Sequence, residues 1–121
     1  SPNMLSGSLV LELCQSGVLD RNIAEVKVAL QERRDALVEA LGKHIPEATF
    51  VLPGGGYFLW ADLAEDRDTV QIAAKAKEAG APFIPGVDFM LDAGQRSLRF
   101  SFDSVPPEHM DEGVSRIASC L

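Results

Sequence analysis

Apolar and polar positions alternate along this chain with two different periods, and the changes of period divide it into elements. Residues Leu5–Ser16 form a short apolar run that predicts a helix, closed by Gly17 as a C-terminal glycine. Asp20 is the expected cap of a longer helix from Arg21 to about Lys43. Its stripe of Ile23, Val26, Leu30, Leu37 and Leu41 keeps three- and four-residue spacing. Arg33 and Arg34 interrupt that stripe. A helix bridging two bodies would carry such a break, and so would one whose arginines snorkel at the stripe's edge.

The period then shortens. "ATFVLPGGGYFLWADL" predicts strand, turn and strand, with Pro53–Gly56 as the turn. Asp68 and Gln71 have the spacing of a capping box opening an alanine-rich helix that Gly80 and Pro82 stop. Pro82–Pro85 predicts a short strand, placed at a sheet edge by its two prolines. Val87–Gln95 reads as a loop and Ser97–Phe102 as a strand. A last helix starts at Pro107, with Met110, Val114, Ile117 and Leu121 along one side. The order predicts an α+β fold, a small mixed or antiparallel sheet with helices mainly on one face, preceded by the long helix. The other sheet face is left wet.

Arg99 stands in the middle of the last strand. Alternation sends Leu98, Phe100 and Phe102 toward the helices and Ser97, Arg99 and Ser101 onto the uncovered face. Two readings follow. Arg99 is a solvated surface residue, or its planar fork clamps a carboxylate in bidentate fashion.

Other chemistry is excluded more firmly. The glycines of "PGGGYF" precede a strand, whereas phosphate-cradling loops need a helix directly after the glycines. His44 and His109 have no Cys or His companions at metal-ligand spacing. No G-x-S-x-G elbow is present, so the residues alone supply no catalytic set.

With 121 residues and 46% hydrophobic composition, the chain suits one globular domain. A net charge of −7, with no basic cluster beyond Arg33–Arg34, argues against direct nucleic-acid binding. No run reaches the ~18 apolar residues of a membrane span. Cys14 and Cys120 are far apart and outside any C-x-x-C pair, the expectation being reduced thiols in the cytoplasm. The opening Ser-Pro-Asn fits a processed or excised piece, and a cloning choice equally.

Four motifs, "LDRNIAEVKVALQERRDALVEAL", "PGGGYFLWADL", "FIPGVDF" and "LRFSFDSVPPEHMDEGVSRI", occur in an order and spacing that resembles a known family. The chain, from about Ser8 to Leu121, is similar to the C-terminal region of class I/II pyridoxal-phosphate-dependent aminotransferases of fold type I. The nearest look is to the 2-aminoadipate and related amino-acid branch.

The resemblance implies a small domain over residues 21–121, with the long helix bridging it to a large cofactor domain and residues 1–20 as a helical remnant of that large-domain side. It implies a homodimeric parent and an amino-acid/2-oxo-acid substrate pair. It also implies that Arg99 binds the substrate α-carboxylate. The family's Schiff-base lysine lies in an upstream Ser-x-x-Lys motif, and Lys27, Lys43, Lys75 and Lys77 are not in one. Pyridoxal phosphate would therefore be bound by residues upstream, with no catalytic or cofactor-binding residue in this chain. Pro106–Pro107 replaces the Ser-Pro or Thr-Pro cap frequent in the family, which leaves the last helix's first turn without a side-chain acceptor. A similar region also occurs behind a winged helix-turn-helix in transcriptional regulators, where it senses a ligand.

Overall fold

A computed structural model describes residues 3–121. The chain divides into two compact units, the first running to Leu30 and the second covering Gln31–Leu121. Among the described residues no helix is long and apolar enough to cross a membrane.

The first unit contains helix α1, Met4–Gln15. Asn3 caps it, its side-chain oxygen accepting from the Ser6 amide at 3.1 Å. No residue of α1 is buried, although Leu5, Leu9, Val10, Leu11 and Leu13 are all apolar. Gly17 takes φ +74°, the left-handed conformation expected of a terminating glycine. Helix α2, Val18–His44, begins directly after it and crosses into the second unit. Asp20 is thus not the cap but a first-turn residue, where its charge still favours the helix dipole.

The expected stripe of α2 is buried only in part. Leu37, Ala40 and Leu41 are buried, whereas Ile23 and Val26 remain about two-fifths exposed at 41% and 42%. Within the second unit, Arg33 and Arg34 reach loop carbonyls. Arg33 donates to the Asp103 carbonyl, and Arg34 Nη1 to the Pro53 carbonyl at 3.0 Å.

Strands β1 (Thr49–Phe50), β2 (Phe58–Asp62), β3 (Ile84–Pro85) and β4 (Ser97–Ser101) form one sheet in the order β1-β2-β4-β3. Every pairing is antiparallel, which settles the mixed-or-antiparallel alternative. The connection from β1 to β2 is a seven-residue loop, 51–57, rather than a turn confined to Pro53–Gly56. Strand β3 lies at an edge, as its prolines predict, and is only two residues long.

Helix α3, Thr69–Glu78, starts at the predicted cap, Asp68, without the return bond from Gln71 to the cap's backbone N–H that completes a capping box. The Asp68 carboxylate accepts from the Val70 and Gln71 amides, and the Gln71 side chain returns to that carboxylate at 2.9 Å. It ends in a Schellman pattern: Ala81 N–H donates to Ala76, Gly80 N–H to Lys77, and Gly80 has φ +77°. Helix α4, Pro107–Ala118, has no side-chain cap bond at Pro106, as its chemistry requires.

Leu98, Phe100 and Phe102 of and beyond β4 are buried, as are Leu59 and Ala61 on β2 and Met110, Val114 and Ile117 on α4. Their side is the core. Phe100 packs its ring 6.3 Å from Phe83 and borders a cavity of about 490 Å³ also lined by Leu37, Met110 and Val114. Asp111 ties α4 to the end of α2, one oxygen lying 2.8 Å from Lys43 Nζ and 2.9 Å from His44 Nε2.

Two predictions follow from this packing. Phe100→Ala should cost about 3 kcal/mol, the low end for a buried Phe, because the ring already borders open volume. Urea unfolding measures it, and a loss under about 1 kcal/mol would mean the strand's faces are reversed. The second concerns acid. Hydrogen bonds from Lys43 and then His44 lower the Asp111 pKa below its ordinary 3.8. A depressed carboxylate contributes stability above its unfolded value and loses it as pH falls through the folded one. Asp111→Asn should therefore be less stable than the parent chain near neutrality and equal to it in strong acid. A difference that persists in strong acid would show that the charge is not its source.

Candidate functional site

Antiparallel register places three residues in one row across the sheet: Trp60 on β2, Arg99 on β4 and Ile84 on β3. One step along β2 and β4, Phe58 faces Ser101; one step the other way, Asp62 faces Ser97. All of these point away from the core side, because side chains alternate and Leu59, Ala61, Leu98 and Phe100 are buried. Arg99 lies where alternation predicts, partly exposed on the face opposite the core.

That face is not bare. The segment after β3 turns through a 3-10 turn, Gly86–Asp88, and covers the end of the sheet near Ser97. Ser97 is buried at 6% exposure, a correction to its expected place in the open. The approach is so close that a Cβ on Gly86 would sit 2.5 Å from Ser97 Cβ and 2.8 Å from the Gly94 carbonyl oxygen. Gly94 returns the contact and adopts φ +89°. Only glycine allows the two backbones to meet there.

This loop delivers Phe89 to Arg99. The guanidinium carbon lies 4.1 Å from the Phe89 ring centroid and 4.0 Å from that of Phe58. Trp60 meets Phe89 edge-on, with centroids 6.1 Å apart and planes at 74°. Arg99 thus has aromatic faces against it from two separate elements, an arrangement worth about 0.5–2 kcal/mol per ring depending on solvation. Spacing alone gave no sign of Phe89. Phe58 and Trp60 share the arginine's face by period; the register sets Trp60 directly opposite Arg99, yet the ring under the guanidinium is that of its diagonal neighbour Phe58.

The neighbouring carboxylates are engaged elsewhere. Asp62 accepts from the Ser97 hydroxyl at 2.6 Å, and Asp103 from the Ser101 hydroxyl at 2.5 Å. The Ser101 bond is the main reason the Asp103 pKa falls below its ordinary value. Among the described residues the Arg99 guanidinium has no hydrogen bond or ion pair to a protein group. Its N–H edge is chemically able to receive a carboxylate in bidentate fashion.

The remaining candidates are dispersed. His44 is bound to Asp111, and His109 is an exposed residue in the first turn of α4. Cys14 and Cys120 are free thiols. No group of metal-ligating side chains forms among the described residues. Lys27 and Lys43 lie on α2 and Lys75 and Lys77 on α3, all exposed, with Lys43 paired to Asp111.

No protein-family model matches the chain. It is 31% identical over 121 residues to aromatic-amino-acid aminotransferase 1 of Thermococcus litoralis, covering 98% of this chain and 29% of that protein. Among solved structures it superposes, with TM-score 0.81 and 30% identity, on the α-aminoadipate aminotransferase of Thermus thermophilus in complex with N-(5'-phosphopyridoxyl)-L-leucine. That match covers 93% of this chain and 29% of the other. It is also 28% identical over 122 residues to the HTH-type transcriptional regulator TauR of Rhodobacter capsulatus, covering 99% of this chain and 25% of the regulator. The chain spans about three-tenths of the length of the first relatives it matches, at 30%, 29% and 30%.

The Gly86 contact generates a prediction of its own. Gly86→Ala should destabilise the chain by about 1–3 kcal/mol, the range for forcing a methyl into a filled site. Urea unfolding reads the loss. A value under about 0.5 kcal/mol would show that the 86–94 loop shifts freely off Ser97.

Proposed function

The chain belongs by sequence and fold with the small domain of the fold-type-I aminotransferases, and from that premise we propose that it serves one as its substrate-carboxylate domain. The parent would transfer an amino group between an amino acid and a 2-oxo acid. One observation carries the reading: Arg99 stands on the face away from the core, beside two aromatic faces, with no ion pair to a carboxylate among the described residues.

In such an enzyme Arg99 would take the substrate α-carboxylate through two parallel charge-assisted hydrogen bonds. Holding that end fixes the direction of the Cα–H bond, a positioning contribution. Pyridoxal phosphate supplies the electron sink in these reactions. The residues of this chain do not fit that group, because its lysines are all exposed on helices and none lies on the strand face that carries Arg99. Cofactor and Schiff-base lysine would come from a larger domain outside this chain, in a homodimeric parent. The exposed apolar side chains of α1 and the first half of α2 fit burial against such a domain.

A second reading has one observation in its favour, the similarity to the regulator TauR. There the same face would sense an amino acid without turning it over. The aminotransferase reading is preferred because the relatives at 30% identity or more carry that name.

Kinetics of the full-length protein test the proposal. Lysine has the charge of arginine but not its fork. Arg99→Lys should lower kcat/KM for amino-acid substrates by about one to three orders of magnitude, equivalent to about 1.4–4 kcal/mol. Simple amines, which have no carboxylate, should lose much less. Equal losses for both substrates would make Arg99 structural, and absence of any turnover in the unaltered protein would favour the regulator.

A further inference from the structure

Arg33, Arg34, Arg67 and Arg116 all hold main-chain carbonyls, those of Asp103, Pro53, Leu121 and Ala79. That is how an arginine staples a fold. Arg99 does nothing of the kind. Its guanidinium carbon lies 4.0 and 4.1 Å from two phenyl centroids, and its N–H groups donate to no described protein acceptor. Phe58 and Phe89 are themselves nearly half exposed, at 45% and 46%, although a phenyl ring loses solvation free energy there. Neither ring is placed as core packing would place it.

We propose that Phe58 and Phe89 are positioning residues for the carboxylate site. They fix the plane of the Arg99 guanidinium and exclude water from its faces, leaving the N–H edge for the ligand. The inference rests on the carboxylate reading of Arg99 and adds the residues that make the site selective for an in-plane approach. The chemistry favours this division. The faces of a guanidinium are weakly hydrated and stack well on aromatic rings, whereas its donors all lie in the plane. An unrestrained arginine side chain loses rotamer freedom when it binds, and one already held by two rings has lost it beforehand.

The two rings come from different parts of the fold. Phe58 is fixed by the β2–β4 register, and Phe89 by the loop that Gly86 and Gly94 clamp to Ser97. The site therefore assembles only when the sheet and the loop are both in place. Trp60, the one tryptophan of the chain, touches Phe89 edge-on and reports on that ring.

The test uses the isotopically labelled chain, with acetate as the probe and chloride at equal ionic strength as the control. The Arg99 side-chain Nε–H resonance, assigned by its loss in Arg99→Lys, is followed by NMR together with Trp60 fluorescence. In the unaltered chain acetate should shift the resonance saturably. Phe58→Leu and Phe89→Leu should each weaken acetate binding about three- to tenfold, as expected when a side chain no longer held in advance must be ordered on binding. Each should also move the Arg99 side-chain protons off their ring-current-shifted positions. Phe89→Tyr, which keeps the face, should restore both properties, and Phe89→Met supplies a flexible non-aromatic variant should leucine disturb the loop. Leucine and methionine variants that bind acetate as tightly as the unaltered chain would overturn the positioning role and leave the clamp standing. No saturable response in the unaltered chain would overturn the clamp, and with it this inference.

Discussion

The antiparallel pairing of β2 with β4 is the constraint on which the rest of the second unit depends. It runs over five residue pairs, from Phe58↔Ser101 to Asp62↔Ser97, while β1 and β3 contribute two-residue edges. Because side chains alternate with period two, this register decides both faces at once. A slip of one residue would send Phe100 to solvent and Arg99 into the core, where an unpaired guanidinium is very costly. The core of Leu59, Ala61, Leu98 and Phe100 therefore holds Arg99 on the opposite face as firmly as it holds itself together.

Around that pairing the polar groups are distributed with little left over. Ser97 and Ser101, on either side of Arg99, each engage a carboxylate, Asp62 and Asp103. Neither carboxylate makes an ion pair with the guanidinium among the described residues. Thr69, the first residue of α3 and fully buried, donates its hydroxyl to Gln95 at 2.8 Å, and the Leu63 amide donates to Arg96 at 2.9 Å. The strand that carries Arg99 is thus anchored immediately before it starts. This is the positional stability a binding residue needs, obtained from regular strand pairing rather than from a mobile loop.

The aromatic flank has a different origin. Phe89 sits in a segment with almost no regular structure, held by the contact between Gly86 and Gly94 and the β4 backbone. A side chain at either glycine would push the loop away from the sheet and carry Phe89 with it. The glycines therefore act on the site although neither touches the guanidinium, and their requirement is steric.

By itself the sequence determined most element types, the sheet face on which Arg99 lies and the sides to which Leu98 and Phe100 turn, because period and capping are local properties. Asp68 with Gln71 and Gly80 mark the ends of α3 for the same reason. The family was legible too, from four motifs in register. Local rules failed where a distant partner intervened. Asp20 looked like a cap, but Gly17 had already turned the chain and α2 starts at Val18. Ser97 reads as exposed from alternation alone, yet a loop about ten residues upstream lies on it. Phe89 had no periodicity to announce it. Which aromatic rings meet Arg99 was decided only by the tertiary structure, because strand register and close backbone approach join residues that no local pattern relates.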